Sequence, residues 1–178
     1  MILVNFIGQP GSGKSTMAAG IFHALKKSSW NVELVTEYTK ELIFQKDHWS
    51  LSDELIVFTE KYTRIKRMQE VDIVITDSPL INSVIYGKNQ FGETGINFFK
   101  EVANSFDSLY FVVEPKTKYI PFGRMPDEEL AKQAGDEIIE LLNDVRYPKW
   151  TVPGDDSAID GVVKLIEGTA TVKGYKQY

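Results

Sequence analysis

A chain of 178 residues, 43% of them hydrophobic, has the size of one compact domain with a single core. Its formal net charge of -5 argues against a protein whose affinity comes from neutralising a nucleic-acid backbone, although a local basic patch stays open. The absence of cysteine excludes disulfides, thiolate zinc sites and cysteine catalysis, and it fits a reducing cytoplasm.

Apolar runs with strand character alternate with segments of helical periodicity. The first run, residues 2–7, is far shorter than the roughly 18 to 20 residues of a membrane span and has no signal-peptide features. The other strand candidates are residues 32–36, 73–76, 109–113 and, more weakly, 149–152. The helix candidates are residues 15–27, a helix that begins near Ser50 and Asp53, and residues 81–86, 96–105, 127–145 and 157–166. This alternation predicts one α/β domain over residues 1–178, with three α/β/α layers and a five-stranded parallel sheet.

The helix that begins near Ser50 is predicted to be amphipathic. Its apolar residues recur at intervals of three and four and form one stripe, made of Leu55, Phe58, Tyr62, Ile65 and Met68.

A glycine-rich segment, GQPGSGKST at residues 8–16, lies between the first strand and the first helix and matches G-x-x-x-x-G-K-[ST]. Glycines let successive backbone N–H groups point at phosphate oxygens, and the helix N-terminus adds a positive dipole end. Lys14 is predicted to reach the β- and γ-phosphates, and the Ser15 hydroxyl to ligate Mg²⁺. A turn that binds no ligand has no need of this Lys-Ser pair. The predicted nucleotide-binding residues are Gly8, Pro10, Gly11, Ser12, Gly13, Lys14, Ser15 and Thr16.

Asp77 follows the third strand in the segment VITDSP. Ligands of open α/β sheets bind at the carboxyl ends of the strands, so an acid there is placed to hold Mg²⁺ or to accept a proton from a substrate hydroxyl. The alternative is that Asp77 caps the helix that follows Ser78 and Pro79.

Glu37 follows the second strand in the segment LVTEYTKEL. A carboxylate at this strand end is predicted to act as general base for an acceptor hydroxyl or to position it. Glu41 and Lys40 are secondary candidates, and a solvated loop glutamate is the alternative.

Residues 114–125, EPKTKYIPFGRM, combine two prolines, a glycine and three basic residues between a strand and a helix. This composition suits an ordinary surface loop, but its position favours a lid over residues 114–126. An arginine that closes over a transferring phosphoryl group stabilises its charge, which makes Arg124 a catalytic candidate beside Lys116 and Lys118.

The turn TVPGDDS, residues 151–157, follows the fifth strand and is predicted to lie beside the glycine-rich segment. Pro153, Gly154 and Asp155 are candidates for contact with a nucleotide base, mainly through backbone carbonyls.

Taken together, these segments resemble the nucleoside and nucleotide kinase branch of P-loop proteins, and within it the small AAA-type ATPases of phage genomes that are related to ribosylnicotinamide kinases. The resemblance runs from residue 2 to about residue 142 and rests on GQPGSGKST, EYTKE, TDSP and PFGRMPDEE. It implies an acceptor-binding or base role for Glu37, a metal or base role for Asp77 and a lid role for Arg124. Deoxynucleoside kinases carry arginine after the acid of the third strand, whereas this chain has Ser78.

The first hypothesis is therefore a cytoplasmic kinase, in the host cytoplasm if phage-encoded, that uses ATP and Mg²⁺ to phosphorylate a hydroxyl of a small nucleoside or nucleotide. A modified phage pyrimidine, or hydroxymethyluracil within DNA, is a special case. Arg64, Lys66 and Arg67 are candidates for binding an acceptor phosphate, although a solvated helix face accounts for them equally.

The second hypothesis is a nucleotide-binding switch or assembly ATPase that works through protein partners. The tail at residues 168–178 would then be an added strand or a partner contact. The sequence leaves the choice between monomer and homodimer open.

Overall fold

A five-stranded sheet organises the molecule, and all of its neighbouring strands run parallel. The computed structural model describes residues 1–116, 128–142 and 148–178. The strands are β1 (Ile2–Ile7), β2 (Val32–Val35), β3 (Ile73–Thr76), β4 (Ser108–Glu114) and β5 (Lys149–Pro153). Their order is β2-β3-β1-β4-β5, which confirms the predicted parallel α/β fold.

Strand β1 is buried along its whole length: β3 and β4 pair with its two edges, and a hydrophobic cluster packs on each face. Its side chains alternate between two hydrophobic clusters, one on each face of the sheet. Ile2, Val4 and Phe6 belong to the first cluster, whereas Leu3 and Ile7 belong to the second. Helices must therefore cover both faces, as the apolar composition of the strand predicts.

Eight α-helices are assigned within the described residues. They are α1 (Lys14–Lys27), α2 (Tyr38–Gln45), α3 (His48–Leu51), α4 (Glu54–Arg67), α5 (Ser83–Tyr86), α6 (Lys88–Asn104), α7 (Glu128–Leu141) and α8 (Ile159–Val172). Helices α2 and α3 were not predicted. Each has a single buried residue, Leu42 in α2 and Ser50 in α3, so neither shows a repeating pattern of apolar residues.

The buried face of α4 differs from the predicted stripe. The helix begins at Glu54. Asp53 occupies the N-cap position, and its side chain accepts a hydrogen bond from the Leu55 N–H. Leu55 is 45% exposed, whereas Glu54 and Lys61 are buried beside Phe58. The core-facing surface is thus rotated by about one position, and two charged side chains are part of it.

Helix α8 is longer than predicted and takes up the start of the C-terminal tail. Its core contacts come from Val162, Ile166 and Ala170, and this packing outweighs the low helix propensity of the glycine and threonine residues among them. The expectation of an added strand from residue 168 onward was wrong, since residues 168–172 are helical. The Tyr178 N–H then donates to the Ser29 carbonyl.

The predicted lid is described only at its first residues, 114–116, where Lys116 is exposed. Lys118, Arg124 and the rest of that segment lie outside the described residues, as do residues 143–145 of the helix predicted over 127–145. The strands all point the same way, so the described ends of β1, β2, β3 and β5 bring their following segments to one edge of the sheet.

Candidate active site

The glycine-rich segment lies between β1 and α1, as predicted, and wraps around the N-terminus of the helix. Gly13 stands at the N-cap position with φ of 99°, a conformation that L side chains rarely adopt. A Cβ atom there would lie 2.8 Å from the Gly154 carbonyl oxygen. The backbone path of this loop therefore depends on glycine for its dihedral angles and for its close contact with the turn after β5.

Lys14 opens α1, and its side chain lies over the loop that precedes it. The Lys14 Nζ donates hydrogen bonds to the Gly8 carbonyl at 3.0 Å and to the Gln9 carbonyl at 2.8 Å. Ser12 is buried, and its hydroxyl has no hydrogen-bond partner within the described residues. The loop thus carries an ammonium group and a buried hydroxyl without a partner, and both are groups that a phosphate can engage.

Four side chains, those of Asp77, Glu37, Lys40 and Ser15, meet near the carboxyl ends of β2 and β3. Asp77 follows β3, is 4% exposed and accepts a hydrogen bond from the Ser15 hydroxyl. Glu37 follows β2 at the N-cap position of α2 and accepts a hydrogen bond of 2.8 Å from the Thr39 hydroxyl. The Lys40 Nζ lies 2.8 Å from Ser15 Oγ and 3.7 Å from Glu37 Oε2. The fold thus brings together the two predicted carboxylates and the predicted metal-binding hydroxyl.

Burial has the largest effect on the pKa of Asp77 and raises it above its ordinary value, and the nearby charge of Glu37 acts in the same direction. The hydrogen bond from Ser15 and the charges of Lys40 and Lys14 oppose this rise. The ionised form of Asp77 is therefore less favourable in the folded protein than in water. Such a shift is common for functional carboxylates.

The alternative role of Asp77 as a helix cap is not seen. The 3₁₀ turn Leu80–Asn82 has Pro79 at its N-cap position and no side-chain cap. Instead, Asp77 Oδ1 is buried and has no hydrogen-bond partner in the described parts of the chain. A buried, unsatisfied carboxylate oxygen beside a hydroxyl suits a hard cation such as Mg²⁺.

The donor set also limits how such a cation would be held. No group of three or more His, Cys, Asp or Glu side chains that could hold a metal occurs among the residues that the structure describes. Ser15 and Asp77 would supply protein oxygens, and phosphate oxygens and water would have to complete the coordination. This arrangement fits a cation that arrives with a nucleotide.

The turn after β5 lies against the glycine-rich loop, as predicted. The Gly154 N–H donates to the Glu114 carbonyl at 2.8 Å, and a Cβ at Gly154 would lie 2.0 Å from the Ser12 carbonyl oxygen. The Asp155 side chain accepts a hydrogen bond of 3.0 Å from the Ser157 N–H, which caps the 3₁₀ turn Asp156–Ala158. Contact with a nucleotide base remains a prediction for Pro153, Gly154 and Asp155.

A cavity of about 800 Å³ extends from the glycine-rich loop past Glu37 and Asp77 to a second polar end. The residues of that end were not predicted from the sequence, and they come from α4, from α5 with the preceding 3₁₀ turn, and from α6. They are Glu54, Lys61, Asn82, Tyr86 and Gln90. The volume is large enough for a second small molecule beside a nucleotide's phosphates.

Glu54 and Lys61 form a buried ion pair in the wall of this second end. The Lys61 Nζ lies 3.7 Å from Glu54 Oε1, and the side chains are 5% and 9% exposed, respectively. Ser83 donates a hydrogen bond to the same carboxylate oxygen. The signal in the sequence was the spacing 54, 58, 61 and 65, which places two charged residues on the helix face that also carries Phe58 and Ile65.

Gln90 connects α6 to the start of α4. Its carbonyl accepts a hydrogen bond of 2.9 Å from the Glu54 N–H, and its amide donates to the Ser52 carbonyl. Asn82 Oδ1 is buried in the same cavity and has no partner among the described residues. This end therefore contains a buried ion pair and offers an unsatisfied acceptor to a polar ligand.

Arg64, Lys66 and Arg67, the basic residues of α4 that were candidates for an acceptor phosphate, do not line the cavity. Arg64 binds both oxygens of Glu41, at 2.5 and 2.7 Å, and donates a further bond of 2.9 Å to Glu60. Its guanidinium also stacks over Tyr38. Lys66 and Arg67 are exposed and do not line the cavity.

Comparison with known proteins identifies the family and the fold of the chain. The model of the AAA domain family matches residues 3–158. The oligopeptide transport ATP-binding protein OppF of Mycoplasma pneumoniae is 30% identical over 84 residues, which is 46% of this chain but only 10% of the length of that protein.

Two solved structures of deoxyadenosine kinase from M. mycoides share the fold. One, with the products dCMP and a flexible dCDP bound, has a TM-score of 0.58 and 19% identity, and the match covers 96% of this chain and 99% of the other. The second, with dATP bound, has a TM-score of 0.57 and 17% identity over 94% of this chain and 100% of the other. Among the helices of the described ranges, none has the length and apolar character needed to cross a membrane.

Proposed function

This chain belongs to the AAA domain family, and we propose that it is a kinase that uses ATP and Mg²⁺ to phosphorylate a hydroxyl group of a nucleoside or nucleotide. The observation that carries the proposal is the continuous cavity, with the glycine-rich loop at one end, Glu37 and Asp77 in the middle and a polar pocket at the other end. Hydrolysis requires no such second pocket. Transfer to an acceptor does, because donor and acceptor must be held in line.

The donor end is assigned from the loop. Lys14 and backbone N–H groups of residues 11–16 would bind the β- and γ-phosphates, while Ser15 and Asp77 would hold Mg²⁺. The cation neutralises charge on the phosphates when bound. The Asp77 oxygen that has no partner and the Ser15 hydroxyl are the features that support this assignment.

Glu37 is the proposed general base. It lies in the cavity wall at the end of β2, and its side chain is 31% exposed, so an acceptor hydroxyl can reach it. Asp77 is more deeply buried and is already engaged by the Ser15 hydroxyl. A division of roles follows, in which Asp77 binds the cation and Glu37 accepts the proton.

The far end of the cavity favours a nucleoside over a nucleotide as acceptor. A phosphate monoester carries a charge of about -1.5 to -2 near neutral pH. In the described wall of this end, the Lys61 cation is matched by the Glu54 carboxylate, and Arg64 is held by Glu41 and Glu60. The first M. mycoides structure has dCMP bound as a product. This supports the proposal that the ligand of the second end is a nucleoside or its phosphorylated product.

The test is transfer of labelled γ-phosphate from ATP, measured with a panel of nucleosides, nucleoside monophosphates, hydroxymethyluracil nucleosides and DNA that contains hydroxymethyluracil. We expect acceleration of ADP release by at least one nucleoside and recovery of the label on that molecule. Lys14→Ala should reduce this turnover by orders of magnitude without loss of the fold. Label that appears only in inorganic phosphate, with every acceptor, would contradict the kinase proposal and favour a switch or assembly ATPase.

A further inference from the structure

We propose that the Lys40 ammonium takes the place of the divalent cation in the nucleotide-free protein and is displaced when a metal–nucleotide complex binds. The inference rests on the proposed function, because it assumes that Ser15 and Asp77 hold the cation of the nucleotide. It assigns to Lys40 the role of a displaceable counter-charge, which neither the motif nor the family match supplies.

The position of Lys40 supports this role. Its Nζ lies 2.8 Å from Ser15 Oγ, the hydroxyl proposed to ligate the cation. The same ammonium lies 3.7 Å from Glu37 Oε2. Ser15 in turn donates to Asp77, and the charge of Lys40 lowers the pKa of that carboxyl, so the ammonium lies among the oxygen groups that would surround a metal ion.

The balance of charge explains why a cation is needed there. Burial raises the pKa of Asp77 most, and the negative charge of Glu37 adds to this rise, so both carboxylates favour a nearby positive charge. Lys14 directs its ammonium at the carbonyl groups of Gly8 and Gln9. Lys40 is therefore the cation that directly contacts the Ser15 and Glu37 oxygens among the described contacts.

Two cations cannot share this position. A divalent ion bound to Ser15 Oγ would lie within a few ångströms of the Lys40 ammonium, where the repulsion between the two charges is strong. Lys40 can leave, because its side chain is 35% exposed and extends from the first turn of α2. When it rotates away, the charge it neutralised is taken over by the incoming ion.

This competition predicts a distinctive pattern of nucleotide affinity. Without divalent cations, Lys40 offsets the repulsion between ATP and the two carboxylates and supports residual ATP binding. With a saturating concentration of Mg²⁺, the bound ion offsets this repulsion, and Lys40 contributes little to the affinity for ATP. Removal of the ammonium should therefore weaken ATP binding mainly when the metal is absent.

The experiment compares wild type, Lys40→Met and Lys40→Arg by calorimetric titration with ATP, in EDTA and in excess MgCl₂. Lys40→Met should raise the Kd in EDTA by about tenfold or more and change it by less than about threefold in MgCl₂. The MgCl₂ concentration that gives half of the full ATP affinity should fall at least about threefold, because the ion has no competitor. Lys40→Arg should keep the wild-type pattern.

The matched control is Lys164→Met, which removes the same charge from an exposed position of α8 and should change none of these values. Equal losses of ATP affinity in EDTA and in MgCl₂ would overturn the inference and make Lys40 a simple phosphate ligand. Unchanged affinity in both conditions would also overturn it. Normal ATP binding with this pattern but no phosphoryl transfer would refute the proposed kinase activity alone, and no ATP binding by the wild type would refute both.

Discussion

Replacement of Lys61 by methionine tests whether the second end of the cavity is organised by a buried ion pair. The change removes the ammonium that lies 3.7 Å from Glu54 and leaves a carboxylate that is 9% exposed without its counter-charge. Breaking a buried pair in this way costs about 3–5 kcal/mol of unfolding free energy. In a chain of 178 residues this corresponds to a fall in Tm of roughly 6–20 °C.

The double variant Glu54→Gln/Lys61→Met separates the charge effect from lost packing. Both new side chains are neutral and of similar length, and the glutamine carbonyl can still accept the Ser83 hydrogen bond. We expect the double variant to lie within about 1 kcal/mol of wild type, since a buried pair is often replaced by neutral groups at little cost. The coupling energy between the two sites should then be at least about 2 kcal/mol in magnitude.

Wild type, Lys61→Met, Glu54→Gln and the double variant form a double-mutant cycle. Urea denaturation followed by circular dichroism measures the unfolding free energy of all four proteins, and unchanged m-values check that the same unfolding is observed. Lys66→Met, an exposed position on the same helix, is the control for loss of a lysine. If Lys61→Met and the double variant lose the same stability, the cost comes from the lysine stem and the argument from charge is refuted. ATP affinity should be retained in every member, because the pair lies away from the glycine-rich loop.

Three further predictions concern the donor end and the base. The pKa of Asp77 is raised in the folded state, so the ionised carboxylate lowers stability at neutral pH. Asp77→Asn should therefore raise Tm at pH 7 while it abolishes Mg²⁺-dependent transfer. The gain in Tm should shrink as the pH falls from the raised pKa of folded Asp77 toward the ordinary aspartate value, and it should be absent below about pH 4. A lower Tm of this variant at pH 7, measured by thermal denaturation, would contradict the argument. Glu37→Gln should reduce kcat by about 10² to 10⁴ with ATP affinity intact, and unchanged transfer in a single-turnover assay would move the base role to Asp77. Gly154→Ala would place a Cβ 2.0 Å from a backbone oxygen of the loop, so it should cost about 1–3 kcal/mol in urea denaturation and weaken ATP binding, and neutral behaviour would show that the turn can move.

The donor end could be predicted because its information is local in the chain. The segment from Gly8 to Thr16 contains the loop, its lysine and its hydroxyl within one strand-to-helix connection, so no long-range contact is needed to recognise it. Glu37 and Asp77 could be placed near it because parallel strands bring their carboxyl ends to one edge. The structure confirms this placement, while the chemical roles remain predictions.

The second end of the cavity could not be read in the same way. Its residues come from α4, α5, the preceding 3₁₀ turn and α6, and their meeting depends on how these helices pack. The apolar pattern of α4 also concealed the pair, because Leu55 fitted the predicted stripe yet is 45% exposed, while Glu54 and Lys61 turn inward. Hydrophobic periodicity identifies which residues are apolar, but a buried polar pair is stabilised by its partners and leaves no such pattern.

Lys40, like the second end of the cavity, shows the difference between features that local sequence determines and features that packing determines. Short-range patterns along the chain established the parallel α/β fold, the phosphate loop and the edge of the sheet where ligands bind, since each depends on residues a few positions apart or on strand direction. The contact of Lys40 with Ser15 joins residues 25 positions apart, and the pair in the second pocket owes its environment to Ser83 and Gln90 from later helices. Packing alone decided these contacts, because the energy of a charged side chain depends on which groups surround it in space.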